Sequence, residues 1–155
     1  MHPTPPPKAG LEEDPEFFAL LTGSYARLVG SPLVAEGCGP AWLYREAPFA
    51  VVAHNTEADP RFIYANETAQ ACFEYPWHEF IQLRSRFSAE PPNRFERQRL
   101  LTTVAEKGFV TGYSGLRISR SGRRFWILDG VIWQLMNEIG ISVGQAAVFR
   151  SWRDI

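Results

Sequence analysis

The sequence predicts an α+β fold: a five-stranded antiparallel sheet with helices on one face and an N-terminal helical cap. Three observations carry this. Two short apolar runs of strand length, Phe49–His54 and Arg61–Ala65, come before any long helix in the main part of the chain. A helical stretch, 93–107, follows them. The rest is rich in β-branched and aromatic residues and is broken by turn signals at Ser121-Gly122 and at Asn137–Gly140.

The helical cap comes first. Asp14-Pro15-Glu16 reads as a helix start: a capping carboxylate, proline at the first position, then an acid in the first turn. Phe17, Leu21, Tyr25 and Leu28 recur at helical spacing, and Gly30-Ser31-Pro32 stops the run. A short helical piece is expected near Trp42–Tyr44. The main domain begins near Ala47. Asn55–Pro60 is a polar turn with an Asp-Pro step. Asn66 follows the strand 61–65 and is placed to cap a helix over 67–74, which Pro76 terminates. Another helical turn is expected over 77–83. Asn93-Arg94-Phe95-Glu96 fits a capping box, with Pro91 and Pro92 just before it. Gly108 is the expected left-handed stop. Leu100, Leu101 and Val104 form the buried stripe of this helix, with Arg94, Arg97 and Arg99 mostly pointing elsewhere.

A two-residue turn at Ser121-Gly122 pairs Ile118 with Phe125 and Arg117 with Trp126. One strand face then carries Leu116, Ile118, Phe125, Ile127, Asp129, Val131 and Trp133. The other carries Arg117, Trp126, Leu128 and Ile132. Both faces are largely apolar, so both are expected to be covered: one by the Phe17/Leu21/Tyr25 helix, the other by the middle helices. Residues 141–152 form the last strand.

Composition bounds the class. At 155 residues with 45% apolar side chains, the chain suits one packed domain. The divisions expected are a disordered proline-rich tail (1–13), an N-terminal helical segment (14–46) and the main domain (47–155). No apolar run approaches the ~20 residues of a membrane span, and the start has no signal-peptide plan. Cys38 and Cys72 lie far apart and outside any metal-ligand spacing. A reduced, cytoplasmic setting is therefore expected, with no metal site. Residues 1–83 carry 4 basic and 11 acidic side chains (−7), and residues 84–124 carry 10 and 3 (+7). That polarity suits an acidic partner, a nucleic acid or a second copy, or simply a solvated face. The basic segment lacks a helix-turn-helix, a zinc pattern or a ribonucleoprotein motif, so nucleic-acid binding is not expected.

The element order and the segment "FIYANETAQACFEY" resemble PAS domains, whose sheet wraps a small cavity. "SAEPPNRFERQRLL", "YSGLRISRSGRRFWI" and "GQAAVF" are similar to the MEKHLA domain, a PAS-related domain found alone in bacteria and at the C-terminus of plant class III homeodomain–leucine-zipper proteins. The resemblance covers about residues 11–152. Leu128 departs from the family pattern, which often has an acid there. The resemblance implies a sensory or regulatory fold with no fixed ligand or reaction, and the domain 47–155 is then the PAS-like MEKHLA domain.

Candidate ligand-binding residues are Asn66, Leu101, Val104, Ile118, Ile127, Asp129, Trp133 and Gln145. Asp129 reads either as a polar anchor for a ligand, with Gln145 and Asn66, or as a structural partner of Ser114. Trp133 either walls a pocket or fills the core. Arg117 facing Trp126 suits a structural cation–π pair. No cofactor is assigned. His2, His54 and His78 all lie off the helix where haem-binding PAS relatives carry their ligand. Cys72 lacks the Asn-Cys-Arg-Phe surroundings of light-sensing flavin domains. No P-loop, nucleophile elbow or metalloprotease motif occurs. The expected function is a sensory module, without catalysis of its own, that binds a small molecule or a protein partner and pairs through its N-terminal helix. The alternative is a small α+β enzyme with a conical pocket and Asp129 as acid/base.

Overall fold

The structure is a computed structural model that describes residues 10–155. The first nine residues, which hold His2 and most of the expected proline-rich tail, lie outside the described residues. Leu11 is part of a short turn and packs against the core.

Helix α1 (Pro15–Val29) starts as its sequence dictates. Asp14 Oδ2 accepts from Phe17 N at 2.9 Å, and Gly30 closes the helix at φ 90°. Helix α2 (Pro40–Arg45), strands β1 (Ala50–His54) and β2 (Phe62–Ala65), and the short helices α3 (Glu67–Phe73) and α4 (Trp77–Phe80) follow. A 3₁₀ turn at Ser85–Ser88 leads into helix α5 (Pro91–Lys107). The chain ends in β3 (Phe109–Ile118), β4 (Arg124–Met136), β5 (Ser142–Phe149) and β6 (Ser151–Asp154).

All strands join one antiparallel sheet in the order β2-β1-β5-β4-β3, and β6 continues the line of β5 along β4. Both faces are covered, as their apolar character requires. On the outer face, Leu21 and Tyr25 of α1 pack with Val51, Tyr64, Trp133, Leu135, Ala146 and Val148. On the inner face, Phe62, Phe73, Phe80, Phe125 and Phe149 form an aromatic cluster of mostly edge-on contacts. The apolar face of α1, with Phe17, Leu21 and Tyr25, is buried on its own sheet.

Several expectations need correction. Helix α5 begins at Pro91, so the prolines occupy its first turn, where a missing N–H costs nothing, and Asn93 is inside the helix. The β3–β4 turn has three residues, not two. Ser119 and Arg123 close it through Ser119 N→Arg123 O at 2.9 Å, and Gly122 takes φ 91° in the last turn position. The register moves by one: Arg117 pairs with Phe125, Leu116 with Trp126 and Gly115 with Ile127. A one-residue slip exchanges faces, so Arg117 points inward and Ile118 outward.

The strands are also bulged. Register shifts in β3–β4 fall at Gly112 (φ 65°) and Asp129 (φ 51°). The β5/β6 break at Arg150 lies across from Asp129 between the pairs Val131–Val148 and Leu128–Ser151. The three irregularities thus line up across neighbouring strands. Past the bulge, Trp133 faces α1 and Ile132 faces inward.

Part of the charge polarity is satisfied within the chain. Arg84 pairs with Glu57, Arg86 with Asp59, Arg120 with Glu79 and Arg123 with Glu74. The basic segment therefore docks on the acidic half of its own molecule.

Candidate functional site

The sheet and α5 do not close dry on each other. Between them lies a cavity of about 60 Å³. Val52, Gln145, Ala147, Ile132 and Ile127 of the sheet form its floor, and Arg97, Leu100 and Leu101 of α5 form its roof. Tyr113 and Arg117 of β3, with Phe73, close one end, and His54 stands at the other side of the lining, next to Gln145 across β1–β5. The space holds a few waters or a ligand of a few heavy atoms. A surface cleft of about 270 Å³ adjoins it and shares His54, Leu101 and Gln145 as lining.

Two guanidiniums line this cavity. Arg97 is 6% exposed and Arg117 7% exposed. Arg97 hydrogen-bonds Ser85 Oγ through Nη2. Arg117 donates to Leu116 O at 2.9 Å and to Tyr113 Oη at 3.1 Å, and its guanidinium carbon lies 5.5 Å from the Tyr113 ring centre. Tyr113 Oη donates onward to Glu96 Oε2 at 3.0 Å. Among the described residues, neither arginine takes part in an ion pair. Burial pushes the Arg97 guanidinium down to about 10; the charge of Arg117 pushes the same way, and Tyr113 and Asp59 oppose it. Burial also raises the Tyr113 phenol.

Two buried acceptors belong to residues that line the same space. His54 Nδ1 lies 2.8 Å from Asn55 O, so it carries the proton and leaves Nε2 as a bare acceptor. Among the described residues, Nε2 has no hydrogen-bond partner. Burial pushes the imidazole down to about 4; the Asn55 bond opposes this and the charge of Arg97 adds to it. Gln145 Nε2 donates to Leu101 O at 3.0 Å, and its Oε1 is buried without a partner.

The sequence-based candidates divide. Leu101, Ile127 and Gln145 line the cavity. Val104 is fully buried beside it but is not in the lining. Asn66 has no capacity left: Oδ1 accepts from Val51 N and Ala69 N at 3.0 and 3.1 Å, and Nδ2 donates to Leu43 O and Phe49 O at 3.1 and 2.9 Å. Ile118 is carried to the opposite face by the register shift. Trp133 is on the α1 side, where Nε1 donates to Leu21 O at 3.3 Å and the ring meets Tyr25 edge-on at 4.9 Å. Asp129 is exposed at the bulge, away from the cavity, so it is neither a buried anchor nor placed to act as an acid or base there. Arg117 stacks on Tyr113 rather than Trp126.

Sequence reasoning missed Arg97, Arg117, His54 and Tyr113. For Arg97 the signal was present: it stands three and four residues before Leu100 and Leu101, on the buried stripe itself. For Arg117 the signal was Gly122, which suits the left-handed third position of a longer turn.

The family profile of the MEKHLA domain matches residues 15–154. The chain belongs to the MEKHLA family. A comparison with curated protein sequences finds no match. Among solved structures, the MEKHLA chain is similar to a PAS domain of a Colwellia psychrerythraea protein, with a TM-score of 0.63, 18% identity, and coverage of 74% of this chain and 92% of that one. It is similar to a light-oxygen-voltage domain studied with a flavin analogue (TM-score 0.53, 18% identity, 68% and 76% covered). It also resembles an RNA-binding light-oxygen-voltage receptor (TM-score 0.59, 20% identity), covering 79% of this chain but 36% of that one. These likenesses establish a PAS-type fold for the MEKHLA chain.

The fold raises the question of a flavin or haem. The residues present do not fit either. A cavity of about 60 Å³ is too small for a tricyclic flavin ring or a porphyrin. Cys72 is buried in the aromatic cluster rather than in the cavity lining, and burial pushes its thiol up to about 11.

Proposed function

We propose that this MEKHLA domain is a sensory or regulatory module whose input is a small molecule held between α5 and the sheet, and which carries out no reaction of its own. The observation that supports this most is the cavity itself, with the unpartnered acceptors His54 Nε2 and Gln145 Oε1 on its wall. Buried polar atoms without partners are rare and mark places where a ligand or water completes the bonding. The fold supports the sensory reading. The proposal that catalysis is absent is supported by the lining: His54 is held neutral down to about pH 4, and among the described residues no Asp, Glu, Cys or Lys lines the cavity. The output passes to a protein partner or a second copy by direct contact.

The test is native mass spectrometry of the purified protein, with thermal unfolding before and after addition of a small-molecule cell extract. The wild type is expected to show a small adduct or a raised unfolding temperature. An Ala147→Leu variant, which fills the floor, is expected to show neither. An extract effect of equal size in both proteins would overturn the proposal.

A further inference from the structure

Two like charges buried on one cavity wall, with no carboxylate in ion-pair contact among the described residues, are costly in a ligand-free protein. Arg97 and Arg117 come from different elements, α5 and β3, and converge on one cavity. Each keeps N–H donors beyond those used by Ser85, Leu116 and Tyr113. Guanidiniums in this arrangement match a planar, two-oxygen anion. The same cavity carries the opposite chemistry on another wall, since His54 Nε2 and Gln145 Oε1 both want a hydrogen. An ammonium donor would enter without a counter-charge, because no Asp or Glu among the described residues lines the space. A hydroxyl donor carries no such cost.

We infer that the cavity binds a small hydroxycarboxylate, with its carboxylate between Arg97 and Arg117 and its hydroxyl donating to His54 Nε2, beside Gln145. This rests on the reading of the cavity as the ligand site and names the chemistry of its occupant. The anion supplies the charge the two arginines lack, and the hydroxyl supplies the hydrogen that His54 Nε2 lacks. The volume limits the molecule to a few heavy atoms, of the size of glycolate or lactate.

The experiment is calorimetric titration of the purified full chain with glycolate and lactate, beside acetate, glycine, the neutral amide glycolamide and inorganic phosphate. Glycolate or lactate is expected to bind saturably, at least tenfold tighter than acetate, glycine or phosphate, and glycolamide is expected not to bind. Arg97→Met and Arg117→Met are expected to weaken binding at least tenfold, with partial recovery in Arg97→Lys. His54→Phe is expected to remove the preference for glycolate over acetate. Circular dichroism and urea unfolding of each variant separate lost binding from lost folding. Glycolamide binding as well as glycolate would overturn the anion assignment while leaving the cavity a ligand site. Binding of the hydroxy acids that is unchanged in both arginine variants would place it elsewhere and overturn the inference. No binding of any probe to folded wild-type protein would overturn the inference, and the extract test above would then decide the cavity separately.

Discussion

Asn66 Oδ1 accepts the amide hydrogen of Val51 at 3.0 Å, tying the end of β2 to its neighbour β1 while also capping α3. With two further bonds from Nδ2, the side chain holds four backbone groups in a site with no solvent exposure. Asn66→Ala strands those groups and is expected to cost roughly 4 kcal/mol, since each buried unsatisfied group costs about 1–3 kcal/mol. Urea unfolding measures this. A loss below 1 kcal/mol would refute the structural role.

Arg97 should oppose folding when the cavity holds no anion. Arg97→Met removes a buried charge and its repulsion with Arg117, and is expected to stabilise the ligand-free protein by about 1–3 kcal/mol. Arg117→Met should then add less to Arg97→Met than it gives alone, because the repulsion is already gone. Denaturation of the two single variants and the double variant reads this coupling.

His54 should make the protein acid-sensitive. Its pKa is depressed in the fold from 6.5 to about 4, so between those values the unfolded chain takes a proton that the folded protein refuses. Its contribution is complete above about pH 6.5 and is lost as pH falls toward 4, an effect of about 3 kcal/mol. His54→Gln removes this term. The gap in stability between pH 7 and pH 4.5 is expected to be about 2–3 kcal/mol larger for wild type than for the variant.

Asp129 should matter through its backbone. At φ 51° and exposed, it tolerates glycine, so Asp129→Gly is expected within about 1 kcal/mol of wild type. A β-branched residue is strained there, and Asp129→Val is expected to lose about 1–2 kcal/mol. Neither should alter binding of small acids, which a role as cavity anchor would require.

Trp133 should matter to α1 and not to the cavity. Trp133→Phe loses the bond to Leu21 O and part of the Tyr25 contact, and is expected to cost about 2 kcal/mol. Binding of glycolate should not change. Chemical unfolding and titration of the same variant check both halves.

The sheet, the helix order and every cap but the start of α5 were legible because they rest on local signals: Asp14-Pro15 before α1, Asn66 at the β2–α3 junction and Gly108 after α5. The faces of β3 and β4 were not, and two single-residue features explain this. The third turn residue moved Ile118 out and Arg117 in. The bulge at Asp129 broke the alternation, so that Trp133, counted on one face with Ile127, lies on the other. Strand parity is a strict period of two, and one extra residue inverts everything beyond it. Arg97 was misplaced for a different reason: charge suggested solvent, whereas its helical spacing placed it with Leu100 and Val104.

The alignment of Gly112, Asp129 and Arg150 has a mechanical consequence. It is a crease, dividing β3, β4 and the β5–β6 line into two plates. Arg117 and Ile127 stand on one plate, and Gln145 and Ile132 on the other. An occupant gripping residues of both would brace the fold line like a strut, converting the presence of a few atoms into stiffness along the whole sheet.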